Sequence, residues 1–175
     1  MAGVAQVEYC PTSRRSGPPT RNKALRKRTR ARELALQVLY QLDLLGVEVL
    51  AELDPLLARL QEPGETDPGV RRFAHDLIEG CWGHRGELDA RIAAVAENWD
   101  IHRMAFVDRN VLRLATYELL FLDDVPPKVA INEAIDLAKR FSTADSGAFV
   151  NGILDRIRME SERTAGGADP RIRNP

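Results

Sequence analysis

Apolar residues recur along this chain at steps of three and four. In the first such run Ala31, Leu34, Ala35, Val38, Leu39, Leu42 and Leu45 fall on one helical face. Gly46 then stands where a helix-closing residue is expected. The spacing predicts a second helix over residues 48–60, through Leu53, Leu56, Leu57 and Leu60, and EPGETDPG breaks the pattern as a loop. A third helix starts near Pro68 with Phe73, Leu77, Ile78 and Cys81 on its apolar side. Glycines 80, 83 and 86 should break or kink it before ELDARIAAVAENW, the fourth. Residues 107–122, VDRNVLRLATYELLFL, are apolar over most of the circumference, which predicts the most buried helix. Asp123-Asp124-Val125-Pro126-Pro127 stops it, and Pro127 suits the first turn of the next. KVAINEAIDLAKRF sets Ile131, Ala134, Ile135, Ala138 and Phe141 on one side. Ser142 or Thr143 can cap a last helix striped by Phe149, Val150, Ile153, Leu154 and Ile157. No segment alternates with period two. The expected fold is all-α, about seven helices in two small packed helical subdomains, 28–100 and 101–160. A disordered basic tail, 1–27, precedes them and a disordered tail, 161–175, follows.

Charge changes this picture at one end. The formal net charge of −1 averages two unlike regions. Residues 1–32 hold nine Lys/Arg against one acid, a net of +8; the rest holds 16 basic and 25 acidic residues, a net of −9. A polycationic arm on an acidic body is the pattern of a polyanion binder. The cations run into the start of the first helix, at Lys27, Arg28, Arg30 and Arg32, where the helix dipole favours anions. Bound phosphate would offset that placement. A solvated tail that only aids solubility is the plainer alternative. Neither an export signal nor a run of 18 apolar residues is present, so no membrane role and a cytoplasmic location are expected.

Catalytic chemistry finds no constellation. His75, Cys81 and His84 lack a fourth metal ligand and match no zinc spacing, so no metal is expected. No P-loop, dinucleotide glycine pattern or Ser/His/Asp arrangement occurs, so neither a cofactor nor an enzyme activity is expected. Asn132, Glu133, Asn151 and Gly152 read as structural, with Gly152 allowing close helix approach. Phe149 suits a core position by its spacing with Ile153, or a stacking contact with a base.

RARELALQVLYQLDL, DRNVLRLATYELLFLDDVPPKVAINEAIDLAKRF and FVNGILDRI together resemble the signature segments of the NusB family of bacterial transcription antitermination factors, over residues 28–158. The resemblance implies an all-helical fold of two subdomains and binding to single-stranded, boxA-type RNA of ribosomal-RNA transcripts. It also implies two partners, the ribosomal protein NusE and the RNA polymerase elongation complex. The RNA-contacting elements it implies fall on Arg28, Arg30 and Arg32, next to Lys27, and on the turn Asp145, Ser146, Gly147, Ala148 and Phe149. Thr29 interrupts the arginines. The NusE-facing side it implies includes Tyr40 and Asp108, the acid opening the central helix, for which a capping role is the structural alternative. Two other readings stand beside this one. A related domain precedes the catalytic domain of some ribosomal-RNA cytosine methyltransferases, and such an enzyme needs an α/β domain for which these 175 residues hold no pattern. The other is a helical module that binds protein alone.

Overall fold

A computed structural model describes residues 19–62, 67–96 and 99–166, with side chains from Leu25 to Arg163. The described residues form seven α-helices and no strand. These are α1 (Pro19–Leu45), α2 (Leu53–Leu60), α3 (Pro68–Gly83), α4 (Arg85–Val95), α5 (Phe106–Phe121), α6 (Pro127–Phe141) and α7 (Ser146–Gly166). Short 3₁₀ segments, Val47–Glu52 and Ile101–Arg103, precede α2 and α5. The α1 helix begins at Pro19, so residues 19–27 are helical where a tail was expected, and α7 likewise runs past residue 160. The rest of both expected tails, 1–18 and 167–175, lies outside the described residues.

Local chemistry sets the ends. Gly46 takes φ +99° and its N–H donates to the Leu42 carbonyl at 3.0 Å, closing α1 in a conformation that side chains disfavour. Asp67 caps α3, accepting from the Gly69 N–H at 2.9 Å with Pro68 in the first turn. The segment expected as one helix over 48–60 is 3₁₀ up to Glu52 and α-helical from Leu53, which, with Leu56 and Leu57, is buried.

Buried apolar side chains from Ala31 to Ile157 form one continuous core. Helix α1 packs chiefly on α3 and α5, and α6 and α7 pack on each other and on α5. Helix α4 packs on α5 and α7 more than on α3, so packing groups it with the C-terminal helices although a boundary near residue 100 would divide them.

At the centre, α5 departs from expectation in its chemistry. It is buried, yet Arg109, Asn110, Arg113, Thr116 and Glu118 are among its buried residues. Arg113 donates from Nε and Nη2 to the two carboxylate oxygens of Asp89 on α4, at 2.6 and 2.9 Å. Its Nη1 lies 3.0 Å from Asp43 on α1, which also accepts from Arg109 at 2.5 Å and from Asn110 at 3.0 Å. Burial works against the Asp43 carboxylate, but these donors hold it below the ordinary carboxylate value.

Helices α3 and α5 meet at Gly80, where an added Cβ would run into the Tyr117 ring and hydroxyl. Gly80→Ala should therefore lower stability by about 1–3 kcal/mol, as overpacking does, although alanine is the better helix former. A rise in the urea midpoint would show that Tyr117 yields freely.

Candidate nucleic-acid interface

The cations of α1 are met by acids from elsewhere in the fold. Lys27 pairs with Asp67 at the start of α3, and Arg28 pairs with Asp124 in the turn after α5. The Arg28 guanidinium also lies 5.0 Å from the Phe73 ring centre. These two pairs are partly exposed and sit at the surface. Arg30 is more enclosed; it donates to Glu33 at 2.9 Å and to the Leu60 carbonyl at 3.0 Å. Thr29, which interrupts the arginines, has its hydroxyl 3.0 Å from Glu133 on α6.

Arg32 requires a correction. It is 2% exposed, and its Nε donates to the buried Glu118 of α5 at 2.8 Å, with Glu133 3.6 Å from Nη1. It is a core ion-pair residue with almost no surface to offer a ligand. One helical turn separates it from the partly exposed Arg28.

The turn before α7 divides in the same way. Asp145 and Ala148 are exposed, and the Asp145 carbonyl accepts from the Ala148 and Phe149 N–H groups, both at 3.2 Å. Ser146 is 3% exposed, and its hydroxyl donates to Asp108 at 3.1 Å while Ser142 and Thr143 hydroxyls lie 3.0 and 2.8 Å away. Gly147 is buried, and a Cβ there would press on Lys139 of α6 at 3.0 Å. Ser146 and Gly147 thus join α7 to α5 and α6 and offer no free surface to RNA. Phe149 is half-buried, with its ring 5.1 Å from that of Trp99, an exposed side chain that sequence reasoning passed over. The helix that Ser142 or Thr143 was expected to cap begins later, at Ser146.

Tyr40 is 38% exposed and meets the Phe106 ring edge-on at 5.9 Å. Beside it opens an apolar groove of about 330 Å³ lined by Leu36, Gln37, Gln41, Val107 and Phe141. Asp108 lies two residues inside α5, whose N-cap is Ala105, so it is not the cap. Its Oδ2 holds Ser146 while its buried Oδ1 has no hydrogen-bond partner. The sequence assigned Asp108 and Ser146 to different surfaces; the fold bonds them together.

Of the residues considered for a metal, Cys81 is fully buried, which pushes its thiol up to about 12, and the His84 ring lies 4.1 Å from that of Phe121. Among the described residues no group of three His, Cys, Asp or Glu is placed to hold a metal ion. No described helix is long and apolar enough to cross a membrane.

Residues 29–159 match the model of the NusB family. A Geobacter sulfurreducens relative named transcription antitermination protein NusB is 50% identical over 129 residues, covering 72% of this chain and 89% of that protein. A protein of the same name from an Anaeromyxobacter species is 53% identical over 135 residues, covering 75% and 89% respectively. Among solved structures, T. maritima NusB matches with TM-score 0.67 and 39% identity, over 79% of this chain and 96% of that one. A crystal structure of the antitermination factors NusB and NusE in complex with double-stranded RNA matches with TM-score 0.68 and 30% identity, over 77% of this chain and 98% of that one.

Arg32→Ala should destabilise the fold by about 3–5 kcal/mol, because it strands Glu118 in the core. Burial, only partly countered by Arg32, already raises the Glu118 carboxyl above its ordinary value. A raised carboxyl takes up a proton on folding, so its contribution is fully present below the ordinary carboxyl range and lost as pH rises through the raised value. Without Arg32 that value rises further, so the deficit should shrink as pH falls toward the acid range. Urea titrations of both proteins across pH check this; a deficit independent of pH would overturn it.

Proposed function

The chain belongs to the NusB family, and from that premise we propose that it is a transcription antitermination factor, not an enzyme, that binds RNA together with NusE. The observation that carries this reading is the likeness to NusB solved with NusE and RNA. We propose further that the RNA is the single-stranded boxA type of ribosomal-RNA transcripts. On this reading the complex acts on the RNA polymerase elongation complex, in the cytoplasm.

Two surfaces carry the work. Toward RNA, the available cations are Arg26, Lys27 and Arg28 on the outer turns of α1, followed by the half-enclosed Arg30. The pairs Lys27–Asp67 and Arg28–Asp124 lie partly exposed at the surface, and surface pairs contribute about 0–1 kcal/mol each. Phosphate can replace those acids at little cost to the fold. Asp145 repels phosphate, so its use toward RNA is as an acceptor for base or ribose donors, beside the ring of Phe149. Toward NusE, Tyr40 with its apolar groove offers an aromatic anchor, and Asp108 lies near the same end of α5.

The internal pairing of the basic run favours one competing reading, a module that binds protein alone. Salt dependence separates the two. Anisotropy titrations with a boxA-type RNA, with and without NusE, should show tight binding that weakens with salt. Replacing Arg26, Lys27 and Arg28 by alanine should flatten the plot of log K against log salt by roughly 2 units, if each neutralises one phosphate of a single strand. An unchanged slope would remove the arm from the interface.

The partner surface has its own test. Tyr40→Ala should weaken NusE binding about tenfold or more in calorimetry, the loss typical of a hot-spot aromatic, while RNA binding by the protein alone stays constant. Wild-type affinity for NusE in this variant would place the partner elsewhere.

A further inference from the structure

We propose that the cleft between the end of α4 and the outer face of α7 is a subsite for one unstacked RNA base, held by Trp99 and Phe149 over the bare backbone of Gly152. This deepens the RNA reading above and rests on it. Trp99 is 57% exposed, which is high for so large an apolar side chain. Its ring stands 5.1 Å from that of Phe149 with the planes 56° apart, and the pair opens onto a cleft of about 230 Å³ edged by Val95, Ala96 and Arg156. Two tilted aromatic rings beside an open slot suit a planar base, which can stack on one and meet the edge of the other.

Gly152 is the second and independent observation. It sits in the body of α7, where glycine is less favourable than alanine. The expected reason was close helix packing, but no atom lies within 4 Å of where its Cβ would stand, and the residue is exposed. Its φ is not positive, so its conformation does not ask for glycine either. Gly80 and Gly147 each face a neighbour that a Cβ would strike, while Gly83 and Gly86, as open as Gly152, stand at the junction of α3 and α4 and not in the body of a helix. What a side chain at 152 would do is fill the floor of the cleft.

Charge points to the same occupant. Arg156, one turn along α7, donates to the Val95 carbonyl at 3.0 Å and so brings a guanidinium across the slot. A strand that inserts a base there passes its phosphate beside a cation. The cleft also reaches the turn before α7 through the exposed Ala148, which lines it.

The test uses the full chain and a mixed-sequence, fluorescein-labelled single-stranded RNA, with and without NusE. Gly152→Leu and Trp99→Ala should each lower RNA affinity about five- to 150-fold, the range for loss of one stacked base. The salt slope should change by no more than the one phosphate contact beside Arg156, about 0.7. Gly152→Ala and Gly152→Leu should melt at the same temperature as wild type or higher. In a Trp82→Phe background, which leaves Trp99 as the one remaining tryptophan, RNA should quench its fluorescence. The proposal is overturned if Gly152→Leu binds RNA like wild type, if it melts lower, or if it loses NusE affinity instead. Failure of the wild type itself to bind RNA would bring down the RNA reading as a whole. Wild-type binding with indifferent cleft variants would bring down the subsite alone.

Discussion

Charges buried on α5 have to be met, and the rest of the architecture is arranged around meeting them. Arg109, Arg113 and Glu118 lie in the core of the helix bundle, where an uncompensated ion costs several kcal/mol. Their partners come from other helices: Asp43 and Arg32 from α1, Asp89 from α4. Apolar packing alone would tolerate a helix sliding or rotating by part of a turn. Paired guanidiniums and carboxylates do not tolerate it, because a fork of N–H donors fits a carboxylate in few orientations. The network therefore specifies the mutual register of α1, α4 and α5 more than it adds to net stability.

Helix α1 shows how burial divides a run of similar residues into different roles. Arg28 and Arg32 are one turn apart and both paired with acids. The first pair is wet and weak, so a phosphate oxygen can take the acid's place. The second is dry, and removing either partner leaves a charge where water cannot reach it. Acids drawn from α3 and from the turn after α5 keep the cations neutralised while no ligand is bound. Because α1 begins at Pro19, these cations lie in its third turn, beyond the reach of the N-terminal dipole that the sequence suggested, and the acids balance their charge within the chain itself.

The helices were legible in sequence because their signals are local: three-and-four spacing, Gly46 after α1, the Pro126-Pro127 stop. The candidate site was less so. Arg32 looks like its basic neighbours, and the acid that draws it inward, Glu118, is 86 residues away in the chain. Helix α5 read as apolar over most of its circumference, and periodicity cannot tell a buried arginine from an exposed one. Ser146 and Asp108 each looked like surface groups, and only the packing of α7 on α5 joins them. Gly152 read as a packing glycine because sequence cannot show whether anything stands opposite. What sequence conceals here is pairing between distant segments, and burial follows from that pairing.

The unbroken course of α1 from Pro19 to Leu45 has a geometric consequence. Lys27 and Tyr40 are 13 positions apart on it, which at 1.5 Å per residue is about 20 Å along the axis. On the proposed function the helix is thus a ruler, with the cations offered to RNA toward one end and the aromatic offered to the partner toward the other. A hinge between the two would let RNA and partner sample many relative placements, each adding entropy that assembly must remove. A rod without a joint fixes their spacing before either arrives. Inserting or deleting a residue between Lys27 and Tyr40 would also turn one about the axis by about 100° relative to the other, as 3.6 residues make a turn.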